Sequence, residues 1–114
     1  MGTIIGVGGQ LFVAVEGGEV IGTCGIAPQG PGEFEVLKLA VAESAQGRGI
    51  GRQLVDACVD FARRQGARRI TLMSSSLLGP AQRLYERAGF RRAPLPESNP
   101  YETADVYMVL DVES

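Results

Sequence analysis

The sequence predicts one α+β domain over residues 1–114, with a mixed central sheet and flanking helices. Three observations predict it. Two β-like runs meet at Gly17-Gly18, which reads as an antiparallel hairpin. A strand, a helix and a second strand follow in the order of a crossover, which makes those two strands parallel. The chain has 114 residues, 45% of them apolar, enough for one modest core.

Element by element, the chain opens Gly-rich, and Thr3–Val7 allows a short strand. Residues 10–16 (QLFVAVE) and 19–27 (EVIGTCGIA) form the hairpin, and Pro28 is expected to end its second strand. Residues 28–33 (PQGPGE) read as a loop and 34–41 (FEVLKLAV) as a strand. Ile50, Leu54, Val55, Cys58, Phe61 and Ala62 then recur on one face of a helix over residues 49–65 that stops near Gly66. Residues 69–74 (RITLMS) are a strand. Pro80 suits the first turn of a second helix with an Ala81, Leu84, Tyr85 and Ala88 stripe, ended by Gly89. A short strand at 90–93, a three-proline loop at 93–103 and a strand at 104–111 complete the chain.

Composition excludes several functions. There is no histidine, and Cys24 and Cys58 lack the spacing of a metal knuckle, which argues against a zinc site and excludes histidine-based hydrolysis; no metal is expected. No apolar run approaches the ~20 residues of a membrane helix, and Met1 to Gln10 does not read as a signal peptide, so the expected location is cytoplasmic. Charge is segregated. Residues 46–92 hold ten arginines against three acids, whereas the rest holds Lys38 against ten acids. These are solvated faces, or one region meets an anion and another a cation. The sequence pI of about 5.1 and the lack of a recognition motif argue against nucleic acid.

The residues richest in chemistry are Gln46-Gly47-Arg48-Gly49-Ile50-Gly51, between a strand and a helix. Glycine lets main-chain N–H groups approach a ligand, and the first turn of a helix has unpaired N–H groups at its positive end. The turn is a diphosphate site or simply a tight connection. A Walker A loop fails because the chain continues Gly51-Arg52-Gln53. A dinucleotide fingerprint fails because Arg52 stands where glycine is required.

With its flanks, this segment resembles the GNAT superfamily of N-acetyltransferases, whose signature is a strand, [QR]-x-x-G-x-[GA] and a helix. Residues 46–51 match it fully. Leu39-Ala40-Val41 is similar to the L-x-V of the preceding strand, and Leu84-Tyr85-Glu86-Arg87-Ala88-Gly89-Phe90 to L-Y-x-x-x-G-F. The resemblance runs from about Leu11 to Leu110.

That resemblance implies the GNAT-like acyl-CoA N-acyltransferase fold and acetyl-CoA as co-substrate. The main chain at Leu39 and Val41 would hold the pantetheine arm. The turn from Gln46 through Gly47, Arg48, Gly49, Ile50 and Gly51 to Arg52 would hold the diphosphate. A primary amine, small and cationic or a lysine side chain, would attack the thioester directly. Tyr85 would protonate the departing thiolate; on its residues alone it reads as a core aromatic of an amphipathic helix. Glu35 would serve as general base, with a solvent-facing strand residue as its other reading and Glu33 as a substitute. Cys24 and Cys58 read as core thiols. The rival to the enzyme is a non-catalytic acyl-CoA-binding or interaction module on the same fold.

The chain departs from the family in two ways. The family places a strand and two helices before the hairpin, where at most nine residues stand here. Many relatives carry an aromatic at the position of Ala40 and an asparagine at that of Leu78. Missing helices would leave sheet surface bare, and the 10–27 hairpin is expected toward a sheet edge. A homodimer, with loop 93–103 contributing, is therefore expected.

Overall fold

The structure, a computed structural model, describes residues 3–7, 11–75, 77, 79–96 and 104–112. In chain order the elements are β1 (Thr3–Val7), β2 (Leu11–Glu16), β3 (Glu19–Gly30), β4 (Glu33–Val41), a 3-10 turn (Glu43–Ala45), α1 (Ile50–Arg64), β5 (Arg69–Ser74), α2 (Gly79–Arg87), β6 (Arg91–Ala93) and β7 (Val106–Asp111). The strands form one mixed sheet in the order β1-β2-β3-β4-β5-β7-β6. As the crossover predicts, β4 and β5 run parallel, and every other recorded pair is antiparallel.

One expectation is corrected and another refined. Pro28 does not end β3, which continues to Gly30 and turns at Pro31-Gly32 into β4. The strand tolerates Pro28 because an extra residue, Gln29, interrupts the ladder next to it: Pro28 stands opposite Phe34 and Gly30 opposite Glu33. The β2–β3 hairpin lies toward the edge as expected but does not form it. β1 pairs along β2 from Thr3 opposite Val15 to Val7 opposite Leu11, so β1 is the outer strand. Gly6 fits there because the Phe12 ring lies over it, 3.2 Å from where a Cβ would stand.

Paired residues share a face of the sheet, and both helices pack on the same one. Ala14, Cys24, Ile26, Val36, Ile70, Leu72 and Met108 meet Ile50, Leu54, Val55, Cys58 and Ala62 of α1 in one core. Phe12 contacts Phe61 edge-on at 6.0 Å between ring centres. The outer side of α1 carries Arg52–Asp56 and Arg64–Asp60 ion pairs. Both helices end the same way. Ala67 N–H donates to the Ala62 carbonyl and Gly66 N–H to that of Arg63; Phe90 N–H donates to Tyr85 and Gly89 N–H to Glu86. In α2 the predicted stripe buries Tyr85 and half-buries Ala81, Leu84 and Ala88, and Gln82, a polar residue, is buried as well. Its amide donates to the Ser75 carbonyl at 2.7 Å and accepts from Arg92, tying the helix to the end of β5 and to β6.

The opposite face, which includes Ile5, Leu11, Val13, Val15 and Val20, carries no helix among the described residues. Ile5 is 45% and Val20 59% exposed. None of the helices is long and apolar enough to cross a membrane among the described residues.

Candidate active site

The ladder explains where the site opens. Thr23 stands opposite Ala40 and Gly25 opposite Leu37, so two steps on β3 face three on β4. The extra residue makes β4 bulge and bend. Pairing with β5 covers only Glu33–Arg69, Phe34–Ile70 and Glu35–Thr71, and beyond Glu35 the two parallel strands separate.

The gap leads into a groove of about 860 Å³ between the end of β4, the start of α1 and one side of α2. Leu39, Val41, Gln46, Gly47, Gly49, Ile50, Gly51 and Arg52 line it, together with Leu77, Pro80, Arg83, Leu84 and Arg87 among others. Gly49 caps α1 in the left-handed region at φ 80°, and no side chain caps the helix. The first-turn N–H groups therefore keep their hydrogen-bonding capacity, at the positive end of the helix dipole. Gly47 is also left-handed, at φ 79°, and a Cβ at either glycine would meet nothing within 4 Å. The site thus has open glycine backbone, free donors and three arginines, which fits an anionic ligand. Gln46 donates to the Val41 carbonyl at 3.2 Å and so secures the turn to the strand.

Arg48 belongs to the turn but not to the groove lining. Its side chain pairs with Glu16 of β2, which holds the Glu16 carboxyl below its ordinary range and pushes the guanidinium up. Arg83 and Arg87, two groove cations, carry no local sequence signal of a site. On a helix they read as part of a solvated face, and only the meeting of α1 and α2 turns them toward a cavity.

Tyr85 lies beside the groove rather than in its lining. It is 7% exposed and meets Phe90 edge-on at 6.0 Å. Burial, then the neighbouring Cys24 and Cys58, push its phenol up, so it stays protonated. The two thiols are buried and free, and Cys58 Sγ lies 3.6 Å from the Cys24 carbonyl. Contact with Cys58, then burial, push the Cys24 thiol up, an unsuitable state for a nucleophile.

Glu35 is on the other, helix-free face, at the last β4–β5 pair. It lines a second, smaller pocket of about 360 Å³ with Gln29, Glu33, Thr71, Met73, Pro96 and Tyr107. Burial raises its carboxyl above the ordinary value. Tyr85 and Glu35 thus approach the strand gap from opposite faces of the sheet. Leu78 and residues 97–103 of the 93–103 loop lie outside the described residues. Among the described residues no group of side chains forms a metal cluster.

A family model described as the acetyltransferase (GNAT) family matches residues 4–90. The chain belongs to this family. N-acetyltransferase 8 of Rattus norvegicus is 32% identical over 90 residues, 75% of this chain; the chain spans 40% of that relative's length. A GNAT-family acetyltransferase from Staphylococcus aureus Mu50 shares the fold at a TM-score of 0.84 and 22% identity, covering 91% of this chain and 68% of the other. An acetyltransferase from Bacillus subtilis, solved in complex with CoA, superposes at a TM-score of 0.76 and 25% identity, over 90% of this chain and 76% of that one. The mixed sheet and its two helices are thus the GNAT fold expected from residues 39–51 and 84–90.

Proposed function

We propose that the chain carries an acetyl-CoA-dependent N-acetyltransferase site acting on a primary amine, a cationic small molecule or a lysine side chain. The observation that carries this reading is the strand gap. A groove suited to an anion lies on one face near it and an acidic pocket on the other, an arrangement in which two ligands would meet between β4 and β5. The CoA bound to the Bacillus subtilis relative supports the choice of ligand for the groove.

Acetyl-CoA supplies an acyl group already activated as a thioester. Main-chain N–H groups from Gly47 to Arg52 hold its diphosphate, and the free edge of β4 at Leu39 and Val41 holds its pantetheine arm. Glu35 takes the proton from the amine, directly or through water. The amine nitrogen forms the new bond to the carbonyl carbon, and the carbon–sulfur bond breaks. Tyr85 gives its proton to the leaving thiolate; burial keeps the phenol in the protonated form that a general acid needs. Glu33 and Glu35 at the second pocket favour a cationic acceptor.

We also read the chain as a cytoplasmic homodimer. The free thiols suit a reducing compartment. Ile5, Leu11 and Val20, exposed on the helix-free face, offer an apolar surface for a second copy, which would wall the acceptor pocket.

Initial rates with acetyl-CoA and an amine varied together test the reading, across polyamines, aminoglycosides and lysine peptides. Direct transfer gives intersecting reciprocal plots. CoA binding without turnover on any amine makes the chain a binding module instead. Sedimentation at micromolar concentration tests the dimer, and a concentration-independent mass near 12 kDa refutes it.

A further inference from the structure

The bulge that carries β3 past Pro28 has a result at the second pocket. Ala27 stands directly opposite Glu35, Pro28 opposite Phe34 and Gly30 opposite Glu33. Gln29 is the extra residue with no partner in this ladder. A bulge re-aims the side chain it carries. Here the side chain reaches diagonally across the strand pair, and Gln29 Nε2 donates to Glu35 Oε1 at 2.9 Å. Both residues line the same pocket.

We propose that Gln29 is a positioning residue for Glu35, fixing the carboxylate with one oxygen engaged and the other, Oε2, turned to the acceptor amine. This rests on the reading of Glu35 as general base. The chemistry favours a neutral amide in this place. It accepts no proton at physiological pH and adds no charge to repel a cationic amine. It stabilises the ionised form of a carboxyl that burial alone pushes up. The other groups around Glu35 leave that task to Gln29. Of the described pocket residues, the ionisable ones are Glu33 on its own strand and Tyr107 on β7. β3 presents Ala27 and Gln29, and β5 presents Thr71 and Met73. The nearest cation along β5, Arg69, stands opposite Glu33 and pairs with Asp111 at 3.3 Å.

Gln29 is exposed, so substitutions leave the core alone. The test compares wild type with Gln29→Leu, Gln29→Lys and Glu35→Gln. The Glu35 carboxyl is titrated by carbon-13 NMR, and the acid limb of kcat/KM is measured alongside. Leu removes the donor and should move both the NMR titration and the acid limb up by about half a unit to one unit. Lys keeps a donor and adds a charge, and should move both down. Unchanged Glu35 titration in both variants overturns the positioning role. Titrations that move while the acid limb stays in place overturn it as well. Glu35→Gln separates the two readings: an acid limb that survives it removes Glu35 as the base, whatever the Gln29 variants do to the titration.

Discussion

Replacing Gly49 by alanine separates the cost of a strained backbone from the loss of a ligand contact. Gly49 sits at φ 80°, and a Cβ there meets nothing within 4 Å. The free protein therefore suffers only the left-handed penalty of an L-residue, about 1–2 kcal/mol. At roughly 4 °C per kcal/mol for a domain of this size, the thermal midpoint should fall by about 4–8 °C. Gly18, in the β2–β3 turn, is the control: its φ is 83°, its surroundings are equally open, and it lies outside the groove lining. Gly18→Ala should lower the midpoint by a similar amount. The two variants should part on CoA. The methyl of Gly49→Ala stands where the diphosphate must approach the main chain, and losing one charge-assisted N–H contact weakens binding about 10- to 100-fold. Titration calorimetry, run well below both midpoints, reads this directly. Matching stability losses with equal CoA affinity in wild type, Gly18→Ala and Gly49→Ala would refute the diphosphate cradle.

Three further outcomes follow from the packing. Tyr85→Phe keeps the ring against Phe90 and should retain CoA affinity while slowing acetyl transfer about 10²–10⁴-fold in single-turnover kinetics; undiminished transfer assigns Tyr85 to the core alone. Arg48→Ala removes a side chain that pairs with Glu16 rather than the groove, so calorimetry should find CoA affinity within about twofold of wild type, the margin of a rim charge. Leu54→Ala, at a fully buried position of α1, should cost about 2–5 kcal/mol in urea unfolding, with the m-value unchanged.

The elements that sequence reveals here are those whose signal is local. The α1 face declares itself through Ile50, Leu54, Val55, Cys58 and Ala62, and the hairpin through Gly17-Gly18, because one segment carries the whole pattern. The bulges at Ile21, Gln29 and the Lys38–Leu39 step are relations between two strands, and neither strand shows them alone. The bulge at the Lys38–Leu39 step nevertheless bends β4 beside the strand gap, and the one at Gln29 aims its side chain. Gln82 escapes notice because a glutamine in a helix reads as solvent-facing until Ser75 and Arg92 come to meet it. In the candidate site, eight residues expected to bind the cofactor line one groove because the glycine turn and the L-x-V strand are contiguous in the chain. The second pocket gathers residues from β3, β4, β5 and β7 with Pro96, so sequence reveals only Glu35 and its neighbour Glu33.

The separation of β4 from β5 also divides the chain in time. Everything from β1 through α1 lies before Gln65, and β5, α2, β6 and β7 all lie after it. The sheet is therefore two consecutive halves, sewn together by three parallel pairs and by the contact of α1 with α2. During synthesis the first half emerges complete, with its hairpins and the helix that roofs them, before β5, the parallel partner of β4, exists. A molecule held in the gap would touch both halves at once, like a splint across a joint. Hydrogen exchange should register its arrival on β4 and β5 together, as two cooperative units merging into one.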